Sequence, residues 1–239
     1  RVVARALPTD KSRLVRVSQE LNLVVGMTGD GVNDAPALKK ADVGFAMGSG
    51  TEVSKEAAAI TILDDNFNSV VKTVLYGRTI YNNIRKFIVF QLTINISAVL
   101  IALIGPFIGM GTPLSVTQML WVNIVMDTLA ALALGGEPAL DRYMDEKPKR
   151  RDESIISKNM WSSLLVMGIY LTTASLVFLQ HPFFQSLFRL DGEMVYEGHD
   201  IYFMTGFFCF YVLSAMLNGF NARTEKLNIF DNITQNKMF

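Results

Sequence analysis

Hydrophobic and polar positions divide the 239-residue chain into two parts. Up to about Arg85, charged residues are interspersed with apolar ones, whereas beyond it long stretches carry almost no charge. Four of these stretches are long enough to cross a bilayer core, which takes about 20 residues of helix. They lie at 87–109, 114–135, 160–180 and 202–220. The pattern predicts a water-soluble part followed by four membrane-spanning helices.

The first part alternates short β-like runs with helix-like runs. The β-like runs lie at 2–6, 23–27, 43–47 and 60–63, and the helix-like runs at 11–21, 35–41 and 50–58. Such alternation is typical of parallel βαβ units, so we predict an α/β fold for residues 1–65. A pattern without proline then continues as one long helix, polar over 66–86 and apolar afterwards. We expect 66–86 to form a stalk and 87–239 a transmembrane domain with a tail.

The loops between the predicted spans differ in basic residues. The loop 136–158 contains six lysines and arginines, 106–113 contains none, and 181–200 contains only Arg189. By the positive-inside rule, loop 136–158 is cytoplasmic. Four crossings then place the soluble part and the tail after Phe220 on the same cytoplasmic side.

Overall charge and cysteine content add little. The formal net charge is zero and averages a soluble part with a membrane part, and no basic cluster points to a nucleic-acid partner. A single cysteine excludes an intrachain disulfide. His181 and His199 fall in a predicted outer loop without a serine or cysteine partner in a recognisable motif, so no nucleophile and base pair is predicted.

The run MTGDGVNDAPAL, residues 27–38, places two carboxylates and an amide in a glycine-containing turn after a predicted strand. Asp30 and Asp34 are hard oxygen ligands of the kind that suits Mg²⁺, and Asn33 lies between them. Mg²⁺ beside a phosphoryl group neutralises charge that develops during transfer. A polar turn without a metal explains the same letters, so the motif alone leaves both interpretations open.

The second predicted span contains Asn123 and Asp127, which at positions i and i+4 share one face of a helix. Asp127 is the only carboxylate in the four predicted spans. A charge near the middle of a bilayer costs on the order of 2.5 to 3.5 kcal/mol and is by default an ion-pathway hypothesis. Asn123 alone would instead favour an interhelical hydrogen bond. Gln91 and Asn95 repeat the same spacing in the preceding span.

Three longer strings resemble one known family. TGDGVNDAPALKKADVGFAMGSGTEVSKEAA, residues 28–58, resembles the hinge segment of P-type cation-transporting ATPases, and PTDKSRLV, residues 8–15, resembles their P-x-x-K-x-x-x-V motif. LWVNIVMD, residues 120–127, is similar to the sixth transmembrane helix of calcium pumps, most of all the plasma-membrane-type branch. The resemblance implies a haloacid-dehalogenase-like phosphorylation domain, followed by the fifth to eighth transmembrane helices of an all-α bundle.

In the soluble part, the resemblance implies four functional residues and the use of ATP. Asp30 would bind Mg²⁺, while Asn33 and Asp34 would orient the phosphoryl group and its water molecules. Lys11 would contact the aspartyl phosphate.

In the membrane, the resemblance implies Asn123 and Asp127 as Ca²⁺ ligands, and we expect Asn95 to line the site. Pumps of the sarcoplasmic-reticulum type hold a second Ca²⁺ through three further side-chain oxygens. This chain has Ala98, Met126 and Ala215 at those positions. Because Ca²⁺ takes six to eight oxygen ligands, we expect one Ca²⁺ per cycle.

The chain departs from the family in lacking the D-K-T-G-T string that carries the phosphorylated aspartate. We therefore expect a C-terminal fragment that is inactive alone and works with the N-terminal part of the same pump in a lipid bilayer. Three alternatives stay open: a pump for another cation such as Mn²⁺, a membrane-tethered phosphatase of the haloacid-dehalogenase type, and a truncated non-catalytic membrane subunit.

Overall fold

The computed structural model describes residues 6–188, 195–196, 199–224 and 235–236. These residues belong to two compact units of the chain. Unit 1 consists of Arg1–Thr79 and Ala139–Ser154, and unit 2 of Ile80–Pro138 and Ile155–Phe239. The β-like run predicted at 2–6 lies outside the described residues except for Ala6.

Unit 1 is built on a small parallel sheet with short helices between its strands. Its elements are α1 (Pro8–Glu20), β1 (Gly26–Gly29), a 3₁₀ turn (Val32–Asp34), α2 (Ala35–Lys40), β2 (Val43–Met47), α3 (Glu52–Ala57) and β3 (Ile60–Ile62). The strands lie in the order β1-β2-β3, all parallel. The predicted α/β fold is therefore confirmed, and Phe45, Ile62 and Val70 form its apolar core.

Strand β1 begins three residues later than the sequence pattern predicts. The backbone before it is engaged elsewhere, because Leu23 pairs with Arg150 in an isolated bridge and the Val25 N–H donates to the Asp42 carboxylate at 2.8 Å. Gly26 is the first residue in register with β2, opposite Val43. As a result β1 extends to Gly29, and Asp30 is the first residue beyond its carboxyl end.

Unit 2 contains the long apolar helices. Helix α4 (Phe67–Ile104) begins in unit 1 and continues through unit 2 as one 38-residue helix, and α5 (Val116–Trp121), α6 (Asp127–Gly135), α7 (Lys158–Gln180), α8 (Pro182–Leu187) and α9 (Ile201–Arg223) follow it. Two short antiparallel strands, β4 (Val195–Tyr196) and β5 (His199–Asp200), precede α9. Within the described part of the chain, four helical segments are long and apolar enough to cross a membrane, at 67–108, 116–135, 158–180 and 201–223.

The second of these spans is not a regular α-helix. Between α5 and α6, residues Val122–Met126 form a π-helical turn, and the Asp127 N–H donates to the carbonyl of Val122, five residues earlier. Single π turns inside α-helices often occur at functional sites. This turn contains Asn123 and ends immediately before Asp127, where the sequence predicted a polar helix face.

Helices α4, α7 and α9 share an apolar core that is rich in aromatic side chains. Phe178 stacks against Phe203 and Phe210, with ring centroids 5.8 and 4.8 Å apart. The hydroxyl of Tyr211 donates to the carbonyl of Ile94 at 2.9 Å, so its polar end is satisfied inside this core. This hydrogen bond joins α9 to α4 one residue before Asn95.

Candidate functional site

The turn after β1 folds Asp34 back beneath the end of the strand. The 3₁₀ turn Val32–Asp34 leads directly into α2, and the Asp34 Oδ2 atom accepts a hydrogen bond from the Asp30 N–H at 3.4 Å. A Cβ atom at Gly29 would come within 2.5 Å of the Asp34 Cβ atom. Only glycine fits at position 29, so the close approach of Asp34 to the strand end depends on it.

Lys11 on α1 forms an ion pair with Asp34. The Lys11 Nζ atom lies 2.5 Å from the Asp34 Oδ1 atom, and Asp34 is 6% exposed. Burial raises the pKa of the Asp34 carboxyl, but hydrogen bonds from Lys11 and from the Asp30 N–H, together with the Lys11 charge, outweigh it and lower the pKa below 3.8. The carboxyl is therefore ionised at neutral pH. The sequence predicted that both residues belong to this site, but not that they pair.

Asp30 and Asn33 are exposed in the same turn. The structure shows no hydrogen bond or ion pair to the Asp30 carboxylate from any residue that it describes. The described residues also contain no group of three or more histidine, cysteine, aspartate or glutamate side chains suited to a metal. One exposed carboxylate beside a neutralised one fits Mg²⁺, which uses one or two protein carboxylates and takes its remaining ligands from water and phosphate.

A second aspartate is buried in unit 2. Asp127, at the start of α6, is 7% exposed, and its Oδ2 atom accepts a hydrogen bond from the Gln91 Nε2 atom of α4 at 3.0 Å. Its Oδ1 atom is buried and has no hydrogen-bond partner among the described residues. A buried carboxylate oxygen without a donor or a cation is costly, so this atom marks a place where a cation would be stabilised.

Asn95 and Asn123 line a cavity of about 220 Å³ within unit 2. Gln118 and Tyr211 also line it, together with six apolar residues: Ile94, Ala98, Val99, Leu114, Met119 and Val122. Asp127 is not among the lining residues. The structure thus brings the two asparagines to one cavity and leaves Asp127 beside Gln91.

A buried cluster of charged side chains in unit 2 was not predicted from the sequence. Glu137 is 8% exposed, and its carboxylate accepts hydrogen bonds from the Arg223 Nε atom at 2.7 Å and the Asn236 Nδ2 atom at 2.6 Å, with the Lys86 Nζ atom at 3.4 Å. Glu137 follows the second span, and the two basic residues lie near the ends of other apolar segments. Opposite charges at the ends of several apolar segments are the sequence feature from which this cluster could have been predicted. Because Glu137 is already compensated, it does not resemble Asp127.

Comparisons with known proteins identify both parts of the chain. Residues 111–239 match the family described as "Cation transporting ATPase, C-terminus", and residues 20–74 match "haloacid dehalogenase-like hydrolase". The predicted fold class, a haloacid-dehalogenase-like α/β part followed by a helical membrane part, is confirmed.

Several relatives are similar over the whole length of this chain. They include "Calcium-transporting ATPase 8, plasma membrane-type" of Arabidopsis thaliana (41% identical), "Plasma membrane calcium-transporting ATPase 3" of Rattus norvegicus (43%) and "Calcium-transporting ATPase 5, plasma membrane-type" of Oryza sativa subsp. japonica (44%). Each alignment covers 100% of this chain but only 20 to 22% of the relative's own length. The chain therefore spans about a fifth of these relatives.

Among solved structures, a zinc-transporting PIB-type ATPase in the E2.Pi state is 33% identical, covering 54% of this chain and 20% of that chain with a TM-score of 0.42. The family match over 111–239 extends over more than half of the present sequence and includes three of the four candidate spans. It continues from the turn that follows α4 to the last residue. This chain belongs to the cation-transporting ATPase family.

Proposed function

We propose that the intact protein is an ATP-driven P-type pump that exports Ca²⁺ from the cytoplasm through an aspartyl phosphate formed upstream of this chain. The observation that carries the proposal is the buried Asp127 carboxylate in an apolar helix, one oxygen of which has no hydrogen-bond partner among the residues that the structure describes. Relatives that are 41 to 44% identical over the whole chain are named calcium-transporting ATPases, which supports Ca²⁺ as the cargo.

A transported cation would stabilise the Asp127 Oδ1 atom, which has no hydrogen-bond partner among the described residues. A carboxylate in an apolar span is stabilised by a metal ion bound beside it. Asn123 and Asn95 offer neutral amide oxygens in the same unit, and carboxylate and amide oxygens are ligands that Ca²⁺ accepts. In this proposal Asp127 and Asn123 are ligands, and Asn95 lines the site.

The number of oxygen ligands sets the proposed stoichiometry. Ala98, Met126 and Ala215 offer no side-chain oxygen at three positions where pumps that bind two Ca²⁺ have one. Since Ca²⁺ takes six to eight ligands, one ion per cycle is the expected result. Measurement of Ca²⁺ transported per ATP hydrolysed by the intact pump checks this, and a ratio of two would remove the claim.

In the soluble part, residues 1–65 form the C-terminal portion of the phosphorylation domain in this proposal, with 66–86 as the stalk and 87–239 as the membrane domain. Asp30 would hold Mg²⁺, which supplies charge neutralisation when it is bound. Lys11 presents a cation, and Asn33 an exposed amide, to the phosphoryl group. Asp34 keeps the Lys11 ammonium in place through their ion pair.

The proposed protein is an integral membrane protein with its soluble part, loop 136–158 and C-terminal tail in the cytoplasm. Four candidate spans and relatives named as plasma-membrane pumps support the membrane assignment. The six basic residues of loop 136–158 support the orientation.

The test is ATP-driven uptake of radioactive Ca²⁺ by inside-out vesicles that contain the intact protein. We expect Asp127→Asn to abolish uptake, because the amide cannot replace the negative charge, and Asp30→Asn to abolish it by blocking phosphorylation. The exposed Asp141→Asn serves as the matched control and retains uptake.

Uptake that is unchanged in Asp127→Asn would contradict the proposal. Mn²⁺ uptake that exceeds Ca²⁺ uptake would instead indicate that Mn²⁺ is the ion transported through this site. Hydrolysis of phosphate esters without ion movement would favour the membrane-tethered phosphatase.

A further inference from the structure

Asp65 lies in the short connection between β3 and α4 with an unusual backbone. Its φ angle is 52°, in the left-handed region that aspartate and asparagine tolerate better than most other residues. Its carboxylate accepts the N–H of Ser49 with both oxygens, at 3.0 and 3.2 Å. These hydrogen bonds lower the pKa of the Asp65 carboxyl, so it is ionised at neutral pH.

The neighbouring Asp64 already serves the start of α4. Its Oδ2 atom accepts the Ser69 hydroxyl at 2.7 Å, and its Oδ1 atom accepts the Asn66 N–H at 3.2 Å. The bonds of Asp65 to Ser49 reach a different segment, the loop after β2. Asp65 therefore does something other than cap the helix.

The loop that Asp65 holds is attached at its other end to Asp30. The Thr51 N–H donates to the Asp30 carbonyl at 2.8 Å. The buried Ser54 hydroxyl lies 3.2 Å from the same carbonyl and 2.7 Å from the Thr51 carbonyl, so its one hydrogen is shared between them. A Cβ atom at Gly50 would come within 2.9 Å of the Asp30 carbonyl oxygen, so the loop lies directly against it. The carbonyl of Asp30 is thus fixed by the loop, while its N–H is held by Asp34 at 3.4 Å.

Asp65 binds the N–H of Ser49, and Thr51 binds the carbonyl of Asp30. Only Gly50 lies between Ser49 and Thr51. The loop backbone is short and closed, because Gly50 N–H donates to the Met47 carbonyl at 3.0 Å. A displacement of Ser49 is therefore expected to move Thr51 and, through its hydrogen bond, the Asp30 backbone. The side chain of Asp30 is otherwise unsupported in the described structure, so its direction depends on that backbone.

We propose that Asp65 is a positioning residue for cation binding at Asp30, acting through Ser49 and Thr51. The inference rests on the proposed role of Asp30 as the Mg²⁺ ligand and adds a residue 35 positions later in the chain. Supporting groups behind metal ligands typically change metal affinity about 10- to 100-fold when they are removed. Because Asp65 acts through a loop, the lower end of that range applies.

The test compares three variants of the intact protein. Asp65→Gly tolerates the left-handed backbone but removes the acceptor, and Asp65→Asn keeps one acceptor oxygen on a residue that also tolerates it. Asp64→Ala is the matched control, because it removes the adjacent carboxylate that bonds only within the start of α4. The readout is the Mg²⁺ concentration that gives half-maximal phosphoenzyme, measured separately from the maximal level.

We expect Asp65→Gly to raise the half-saturating Mg²⁺ concentration about tenfold, with the maximal phosphoenzyme level retained. We expect Asp65→Asn to remain within about threefold of wild type and Asp64→Ala to match it. Hydrogen exchange without Mg²⁺ or ATP gives a second readout. It is expected to accelerate at Ser49 and Thr51 in Asp65→Gly while the β2 amides stay protected.

An unchanged half-saturating Mg²⁺ concentration in Asp65→Gly would overturn the inference, and so would an equal shift in Asp64→Ala. Unaltered exchange at Thr51 would overturn it as well. A wild-type protein that forms no Mg²⁺-dependent phosphoenzyme would instead remove the proposed pump and the inference with it. The two failures are therefore distinguishable.

Discussion

Two aspartates in different parts of this chain are buried to the same extent but are compensated in opposite ways. Asp34 in the α/β unit and Asp127 in the helical unit are 6% and 7% exposed. Asp34 has Lys11 at 2.5 Å and a backbone N–H. In the described part of the chain, Asp127 has one neutral amide donor, from Gln91, and one oxygen without a partner. Equal burial therefore does not mean equal function.

The difference distinguishes a carboxylate whose charge is compensated within the described structure, Asp34, from one whose charge is not, Asp127. Removing a buried charge from water costs several kcal/mol, which an ion pair and hydrogen bonds offset only when their geometry is good. At Asp34 both are present. At Asp127 the described residues provide no cation, so the offset has to come from a bound ion or proton. Glu137, with Arg223 and Lys86 nearby, shows that helices of the same unit can compensate an acid internally.

The largest expected effect comes from removing the cation at Asp34. Lys11→Met leaves a buried carboxylate without its partner, which costs about 3 to 5 kcal/mol when both groups are fully buried. The Lys11 side chain is 35% exposed, so water screens the pair and we expect about 1 to 3 kcal/mol. Hydrogen exchange of the β1 amides measures this local free energy of opening.

The matched control for Lys11→Met is Lys55→Met, which breaks an ion pair of 3.0 Å with Glu52, an 83% exposed side chain. We expect less than about 0.5 kcal/mol there. A double-mutant cycle with Asp34→Asn isolates the coupling of Lys11 to Asp34. If Lys11→Met cost no more than the control, the claim that Asp34 is compensated internally would be wrong.

Several elements of the fold were predictable from the sequence because their signals are local. Strand β2 begins and ends where the apolar run VGFAM does, and α4 continues without a break because no proline interrupts it. Asp127 stood out because a carboxylate within a long apolar run contradicts its surroundings. These features depend on neighbouring residues and on periodicity alone.

Features that depend on contacts distant in sequence were not predictable. The Lys11 and Asp34 pair joins residues 23 positions apart, and Asp65 reaches back 16 positions to Ser49. The π-helical turn at Val122–Met126 was not predicted either, because the residue pattern there fits a regular α-helix. The roles assigned to the site residues stay predictions: Lys11, Asp30, Asn33, Asp34, Asn95, Asn123 and Asp127.

A smaller effect is expected from removing the donor to Asp127 that the structure describes. Gln91→Leu removes the hydrogen bond from α4 that holds the Asp127 carboxylate, so the carboxylate is less well oriented for Ca²⁺. A hydrogen bond to a charged group contributes about 1.5 to 3 kcal/mol, but a bound cation takes over part of that stabilisation. We expect the half-saturating Ca²⁺ concentration for ATP hydrolysis by the intact protein to rise about three- to tenfold.

Thr93→Val is the control for Gln91→Leu. Thr93 is buried two residues further along α4, and its hydroxyl donates to the Val89 carbonyl at 2.7 Å rather than to Asp127. The control is expected to retain wild-type Ca²⁺ dependence. An equal rise in both variants would indicate a general disturbance of α4 and would weaken the contrast between the two aspartates.

The smallest expected effect concerns a third aspartate, Asp42, which is compensated mainly by neutral donors. Burial raises the pKa of its carboxyl, but hydrogen bonds from the Val25 N–H and Gln19, and then the Arg151 charge, lower it below 3.8.

The contribution of Asp42 to stability is therefore complete well above pH 3.8 and is lost as the pH falls through the lowered pKa. The Arg151 side chain is 45% exposed, so Arg151→Gln should cost less than about 1 kcal/mol at pH 7. Asp42→Asn should reduce the loss of β1 hydrogen-exchange protection between pH 5 and pH 3, about the range in which aspartates titrate. If Arg151→Gln instead cost as much as Lys11→Met, compensation by a cation would depend little on burial, and the contrast drawn from Asp34 would lose its basis.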